Sequence, residues 1–219
     1  MTKHIRATLI ISAAILILPF ITLAHNPRLV ESAGTVQVQN PEISQAFYGQ
    51  LNGSYQDFRI DSASPFNLYA NILVPDLPMV KINMSIEIFK LEPATTSLAF
   101  LEGARFTWMQ FYEPFAGDKY FKGPEFSQEV GAGKYLVRVS SPNFKGKYVL
   151  AIGQKEAFLS EAWDTLMVLP TIKNAFFNKS PWTMFFNYIG LFLLAAILIL
   201  AAIAYFAWRW IIKHKGKKA

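Results

Sequence analysis

Residues 184–207 carry no charged side chain, and the segment 209–219 that follows holds five basic residues and no acid. At about 1.5 Å per residue the run reaches roughly 36 Å, enough to cross a hydrocarbon core of about 30 Å with some tilt. It is apolar on every helical face, which does not suit a helix half-buried in a soluble core. A membrane-spanning helix over 183–208 is therefore expected, with 209–219 as a basic tail. Trp182 stands at one end of the span and Tyr205, Trp208 and Trp210 at the other. Such rings favour the headgroup level, so Trp182, Tyr205, Trp208, Arg209, Trp210 and Lys213 are expected as anchors at the membrane interface.

The amino terminus has an apolar run of its own. Lys3, His4 and Arg6 precede Ala7 to Ala24, which closes Ile-Thr-Leu-Ala before His25. This is the pattern of a secretory signal over residues 1–24, with cleavage after Ala24; an uncleaved anchor is the alternative. The basic tail favours a cytoplasmic carboxy terminus, which places the region between outside the cytoplasm, at the cell membrane.

Charge follows the same division. The formal net charge is +6, of which the tail carries +5 and the amino terminus +2, leaving residues 25–182 at −1. The basicity thus belongs to the two flanks. The region between has no cationic excess to neutralise phosphates, so no nucleic-acid partner is expected. The chain has no cysteine, so the exported region must hold without disulfides and has no thiol chemistry.

Residues 25–44 show little periodicity and are read as a flexible tether. From 45 to 154 short alternating runs recur between turn signals. Phe66, Leu68, Ala70 and Ile72 alternate with polar neighbours, as do Ile82, Met84, Ile86 and Ile88. Tyr135, Val137 and Val139, then Tyr148, Leu150 and Ile152, repeat the pattern. Period-two runs between Gly- and Pro-rich turns predict a mainly β fold, an antiparallel jelly-roll-like β-sandwich. The last two runs are expected to pair as a hairpin.

The sequence Gly131-Ala132-Gly133-Lys134-Tyr135-Leu136-Val137-Arg138-Val139, followed by Gly146-Lys147-Tyr148-Val149-Leu150, resembles the close of the pre-peptidase carboxy-terminal domain group and related bacterial jelly-roll modules. The stretch ending Asp57-Phe58-Arg59-Ile60 is similar to the opening strands of that group, although Tyr55 stands where an acid is usual. The likeness is clear over 131–153 and loose over 45–62. It implies a sandwich that binds or supports, and no catalysis.

Residues 105–126 are the most aromatic stretch. Trp108, Phe111, Tyr112, Phe115, Tyr120 and Phe121 fall among Glu113, Asp118, Lys119, Lys122 and Glu125. Pro114, Gly117, Gly123 and Pro124 argue against a helix and for a long loop at one end of the sandwich. The rings either cap the sandwich or form a contact surface for a protein or a glycan. Glu113 and Asp118 are read as solvated loop charges.

Residues 155–182 differ in character. Phe158, Leu159, Trp163, Leu166, Met167 and Leu169 recur at helical spacing before Pro170, and Ile172, Phe176 and Phe177 follow beside Lys173 and Lys179. An amphipathic juxtamembrane helix is expected, lying on the bilayer, on a partner subunit or on the sandwich itself.

Three histidines limit the chemistry. His4 and His214 fall in the flanks, which leaves His25 alone beside the exported region. A Ser/His/Asp set has no histidine to use beyond it, and no G-x-S-x-G, HExxH or nucleotide-binding motif occurs. No cofactor or metal is expected. The sequence reads as a non-enzymatic, single-pass recognition or accessory module. Its expected partners are the lipid bilayer and either another membrane protein or a glycan bound at the aromatic stretch; a hydrolase ranks below both.

Overall fold

The structure, a computed structural model, describes residues 25–31, 34–156 and 158–215. Residues 1–24, where a secretory signal is expected, and the end of the tail lie outside the described residues. Among the described residues eleven strands form two sheets. In chain order they are β1 (Asn26–Leu29), β2 (Thr35–Val38), β3 (Gln45–Asn52), β4 (Gln56–Ser62), β5 (Phe66–Pro75), β6 (Ser85–Lys90), β7 (Thr96–Leu101), β8 (Met109–Glu113), β9 (Asp118–Val130), β10 (Gly133–Ser140) and β11 (Lys145–Ile152). One sheet runs β1-β3-β11-β5-β9-β8 and the other β2-β4-β10-β6-β7. The fold is a β-sandwich, mainly antiparallel, as the alternating runs required.

The alternating runs send their apolar sets inward, except that Ile82 lies before β6 and is exposed. Phe66, Leu68, Ala70, Ile72 and Val74 of β5 meet Ile86 and Ile88 of β6, Phe58 and Ile60 of β4, and Val137 and Val139 of β10. Tyr135 and Tyr148 are buried with them. On the outer side of the five-stranded sheet the Arg138 guanidinium donates twice to Asp57, at 2.7 and 2.9 Å, and stacks 3.7 Å from the Tyr55 ring centroid. The tyrosine at the unusual position thus helps hold an ion pair between neighbouring strands.

Three expectations change. Residues 25–44 are not a tether: β1 pairs in parallel with β3 and β2 in parallel with β4, one strand added to an edge of each sheet. These strands have four residues each, too few for periodicity to be read. The last two runs are not a hairpin either. β10 lies between β4 and β6 in one sheet, and β11 between β3 and β5 in the other. The connection between them is an arch across the core. The Ser141 hydroxyl donates to the Lys145 carbonyl (3.1 Å) and accepts from the Lys145 N–H (3.1 Å), fixing its corner. A strand–turn–strand sequence reads the same for an arch and a hairpin.

The third change concerns 105–126, which is a strand pair and not a loop. β8 and β9 form a hairpin on the edge of the six-stranded sheet, with Phe111 opposite Tyr120 and Glu113 opposite Asp118. Pro114 and Gly117 fall in its turn. Gly123 and Pro124 fall within β9, where the β5–β9 register slips between Asn71 and Leu73. The buried Asn71 amide donates to the Gly123 and Pro124 carbonyls, both at 3.1 Å. A bulge served by a side-chain donor is the setting in which a strand tolerates proline.

After β11 the chain forms helix α1 (Phe158–Thr171), a wide π-type turn over Ile172–Phe176 and a 3-10 segment over Pro181–Phe186. It then enters helix α2 (Tyr188–Lys215). Among the described residues α2 is the one helix long and apolar enough to cross a membrane, over Tyr188–Ile212, and almost none of it is buried by the rest of the protein.

Candidate functional site

The outer face of the six-stranded sheet is apolar where a solvated face would be polar. Ala46, Leu73, Tyr120, Val149 and Ala151 lie there, covered by Ile172, Phe176 and Phe177. The π-type turn makes this cover possible. Its widened ring, closed by the Phe177 N–H on the Ile172 carbonyl (3.1 Å), aims Ile172, Lys173, Phe176 and Phe177 all inward. Tyr48 meets Phe176 edge-on at 5.1 Å and Tyr120 meets Phe177 edge-on at 5.3 Å. Each such side chain contributes about 1.5–3 kcal/mol by leaving water. Within segment 155–182, Val168, Ile172, Phe176 and Phe177 therefore roof the sandwich, while Met167, in phase with the expected apolar stripe, is exposed.

Lys173 is buried under that roof with no exposed surface, and Asp118 is 1% exposed. The Lys173 ammonium donates to Asp118 Oδ2 at 2.7 Å and to the Ala116 carbonyl; Lys179 donates to Asp118 Oδ1 at 2.8 Å. Loss of hydration lowers the Lys173 pKa, and the bond to Asp118 opposes that shift. Asp118 is thus no solvated loop charge. It is the acceptor that ties hairpin to roof.

Glu113, opposite Asp118, turns its carboxylate back on its own turn. Its oxygens accept from the Phe115 N–H (2.6 Å) and the Ala116 N–H (2.8 Å). Burial pushes its pKa up, against the pull of those two donors. Gly117 completes the turn at φ +74°, and a Cβ there would strike the Asn187 amide at 2.1 Å. That amide donates to the Ala116 carbonyl at 2.7 Å, and the Ile189 N–H donates to the Phe115 carbonyl at 3.3 Å. Ala116, Leu169, Met184 and Ile189 pack around this junction, with Phe115 half-buried against them. The hairpin tip, the roof and the first turn of α2 thus meet at one point.

A cavity of about 130 Å³ remains between roof and sheet. Leu73, Val149 and Ala151 form its apolar part; Tyr48, Tyr120, Glu113, Lys122 and His25 supply polar atoms. These groups are engaged with each other and with the backbone. The Tyr48 and Tyr120 hydroxyls bond at 2.9 Å, Lys122 pairs with Glu125 at 2.9 Å, and the His25 ring bonds the Ser44 hydroxyl. Desolvation, and then the Lys122 charge, lowers the His25 pKa, so the ring favours its neutral form.

The six aromatics singled out in the sequence do not make one surface. Tyr120 is buried and shares the roofed face with Phe111, which is 40% exposed. Tyr112, paired with Lys119, and Phe121, paired with Gln110, lie on the opposite face of the hairpin. Phe115 is in the turn. Trp108 packs its half-buried ring against the core and over Gly123, and its indole N–H donates to the Gly103 carbonyl at 2.8 Å. At the other end of α2, Tyr205, Trp208 and Trp210 are exposed, and Arg209 donates to the Tyr205 hydroxyl at 3.2 Å. Trp182 is exposed at the near end; the side chain of Lys213 lies outside the described residues. Sequence reasoning missed the roles of Lys173, Asn71 and Asn187, whose bonds to Asp118, Gly123 and Ala116 span 55, 52 and 71 residues of chain.

These features define a β-sandwich roofed on one sheet by the segment that joins it to a long apolar helix. No protein-family model and no curated protein sequence matches this chain. Among solved structures the chain is similar to the pre-peptidase carboxy-terminal domain of a collagenase from Bacillus anthracis, at 15% identity and a TM-score of 0.35, over 55% of this chain and 95% of that one. It is also similar to the Yersinia pseudotuberculosis-derived mitogen, at 9% identity and a TM-score of 0.34, over 54% of this chain and 92% of that one.

Proposed function

We propose that the protein is a non-enzymatic recognition or accessory module, held at the outer face of the cell membrane by α2 and displaying its sandwich outside the cytoplasm. One observation carries this reading. The charged and polar side chains gathered beneath the roof hold hairpin, roof and helix start together: Asp118 through two lysines, Glu113 through two turn N–H groups, Asn187 through the Ala116 carbonyl. They build a rigid mount. The basic residues beyond Trp208, with the positive-inside bias, support the orientation.

What such a mount displays is the remaining surface of the sandwich, for a protein partner in or near the same membrane. Photo-crosslinking amino acids at the exposed positions Phe100 and Met167 test this in intact membranes. One dominant membrane-protein adduct, absent when the crosslinker is placed within α2 at Ile199, is the expected result. No adduct from either site, together with hydrolytic turnover by the purified chain, would overturn it.

A further inference from the structure

The junction between hairpin and helix leaves a groove on its open side. Tyr112 and Pro114 of the hairpin form one wall; Phe185, Phe186, Tyr188 and Leu191 form the other. Its volume is about 430 Å³. The rings are turned outward: Phe186 is 85% exposed and Tyr112 53%, and Trp182 beside them is 72% exposed. Segment 180–208 has no charged residue. Exposed aromatics in such number are costly in water.

We infer that this groove and its aromatic rim form a lipid-binding platform, seated at the acyl–glycerol boundary of the leaflet that α2 enters and taking a phospholipid acyl chain between hairpin and helix. The inference rests on the reading of α2 as a membrane span and adds a second membrane contact, made by the sandwich itself. Three features favour lipid over a protein partner. The groove is continuous with the exposed apolar surface of α2, through Leu191 and Leu194. The hydrogen bonds from Asn187 and Ile189 to the hairpin turn hold the tip level with the first turn of that helix. Lys119, the cross-strand partner of Tyr112, puts a cation beside the aromatic rim, where a lipid phosphate would meet it. Tyrosine and tryptophan settle at that depth because their polar tips stay wet while the rings leave water. The sandwich would then ride against the bilayer with its hairpin tip dipped in, not at the end of a swinging stalk.

The absence of cysteine makes the test direct. Single-cysteine variants Tyr112→Cys, Phe186→Cys, Ile197→Cys and Gln128→Cys are labelled with a nitroxide in the full chain and reconstituted in phosphatidylcholine vesicles. Gln128 is exposed and lies ten residues along β9 from the tip, about 33 Å away. All four side chains replaced are at the surface or within the proposed span, and thermal unfolding of the labelled chains checks that the fold is kept. The expected result is a severalfold higher ratio of oxygen to nickel-chelate accessibility at 112 and 186 than at 128, with 197 higher still. Aqueous values at 112 and 186 with a buried 197 would overturn the platform and leave the span intact. Aqueous values at 197 as well would overturn the span reading and the platform with it.

Discussion

Asp118 accepts from two lysines while almost wholly out of water, and the three residues are unequal in what their loss would do. Removing Asp118 strands the Lys173 ammonium in a site with no exposed surface. Breaking a buried pair in this way costs about 3–5 kcal/mol, whereas replacing both charges by apolar groups is often neutral. Asp118→Ala should therefore lower stability by about that amount in urea unfolding of the detergent-solubilised chain. Asp118→Ala with Lys173→Met should recover most of it; a double variant as weak as the single one would contradict the assignment. Glu113 gives a pH signature. Its pKa is raised from 4.5 in the folded protein, so between 4.5 and the raised value the folded state holds a proton the unfolded state has lost. Stability from this residue is present below that window and falls as pH rises through it. Unfolding curves across pH should show the parent losing stability relative to Glu113→Gln as pH climbs above 4.5, and a constant difference would argue against a desolvated carboxyl.

Between elements, the informative cases are those where local sequence and final partner disagree. β5, β10 and β11 were legible because an inward apolar residue recurs at every second position along each, even though in β11 the alternate positions Val149 and Ala151 are apolar as well. β8 and β9 were not, because Pro114, Gly117, Gly123 and Pro124 each break a strand locally. What rescues β9 is Asn71, 52 residues from Gly123 in sequence and invisible to any window around the bulge. Asn71→Ala should leave the two bulge carbonyls without their donor, at a cost of about 1–3 kcal/mol in urea unfolding. A neutral substitution would mean that the bulge holds itself. The sorting of β10 and β11 into different sheets was equally hidden, since both ends of the arch carry the same pattern. Of the site, the aromatic richness of the hairpin could be read, and so could the amphipathic character of α1. The ion-paired junction could not, because Lys173 in sequence is one more polar residue on a helical face.

For the whole molecule, the charge partition and α2 together predict an orientation. A reporter fused after Ala219 that works only in the cytoplasm should be active, and one that works only after export should be silent. The reverse pair would invert the topology and place the sandwich inside.

β11 sits at the centre of the six-stranded sheet, between β3 and β5, and α1 touches β1 through the Thr165 hydroxyl and the Asn26 side chain at 3.4 Å. A ribosome makes the chain from the other direction. β3 and β5 are finished some 70 residues before the strand that joins them exists, and the roof over their outer face is made later still. The contacts that β11 makes with β3 and β5 are thus long-range, and such contacts are slow to form. The facing edges of β3 and β5 therefore have to wait unpaired until synthesis has nearly reached α2, which leaves two apolar strand edges open during the chain's own manufacture.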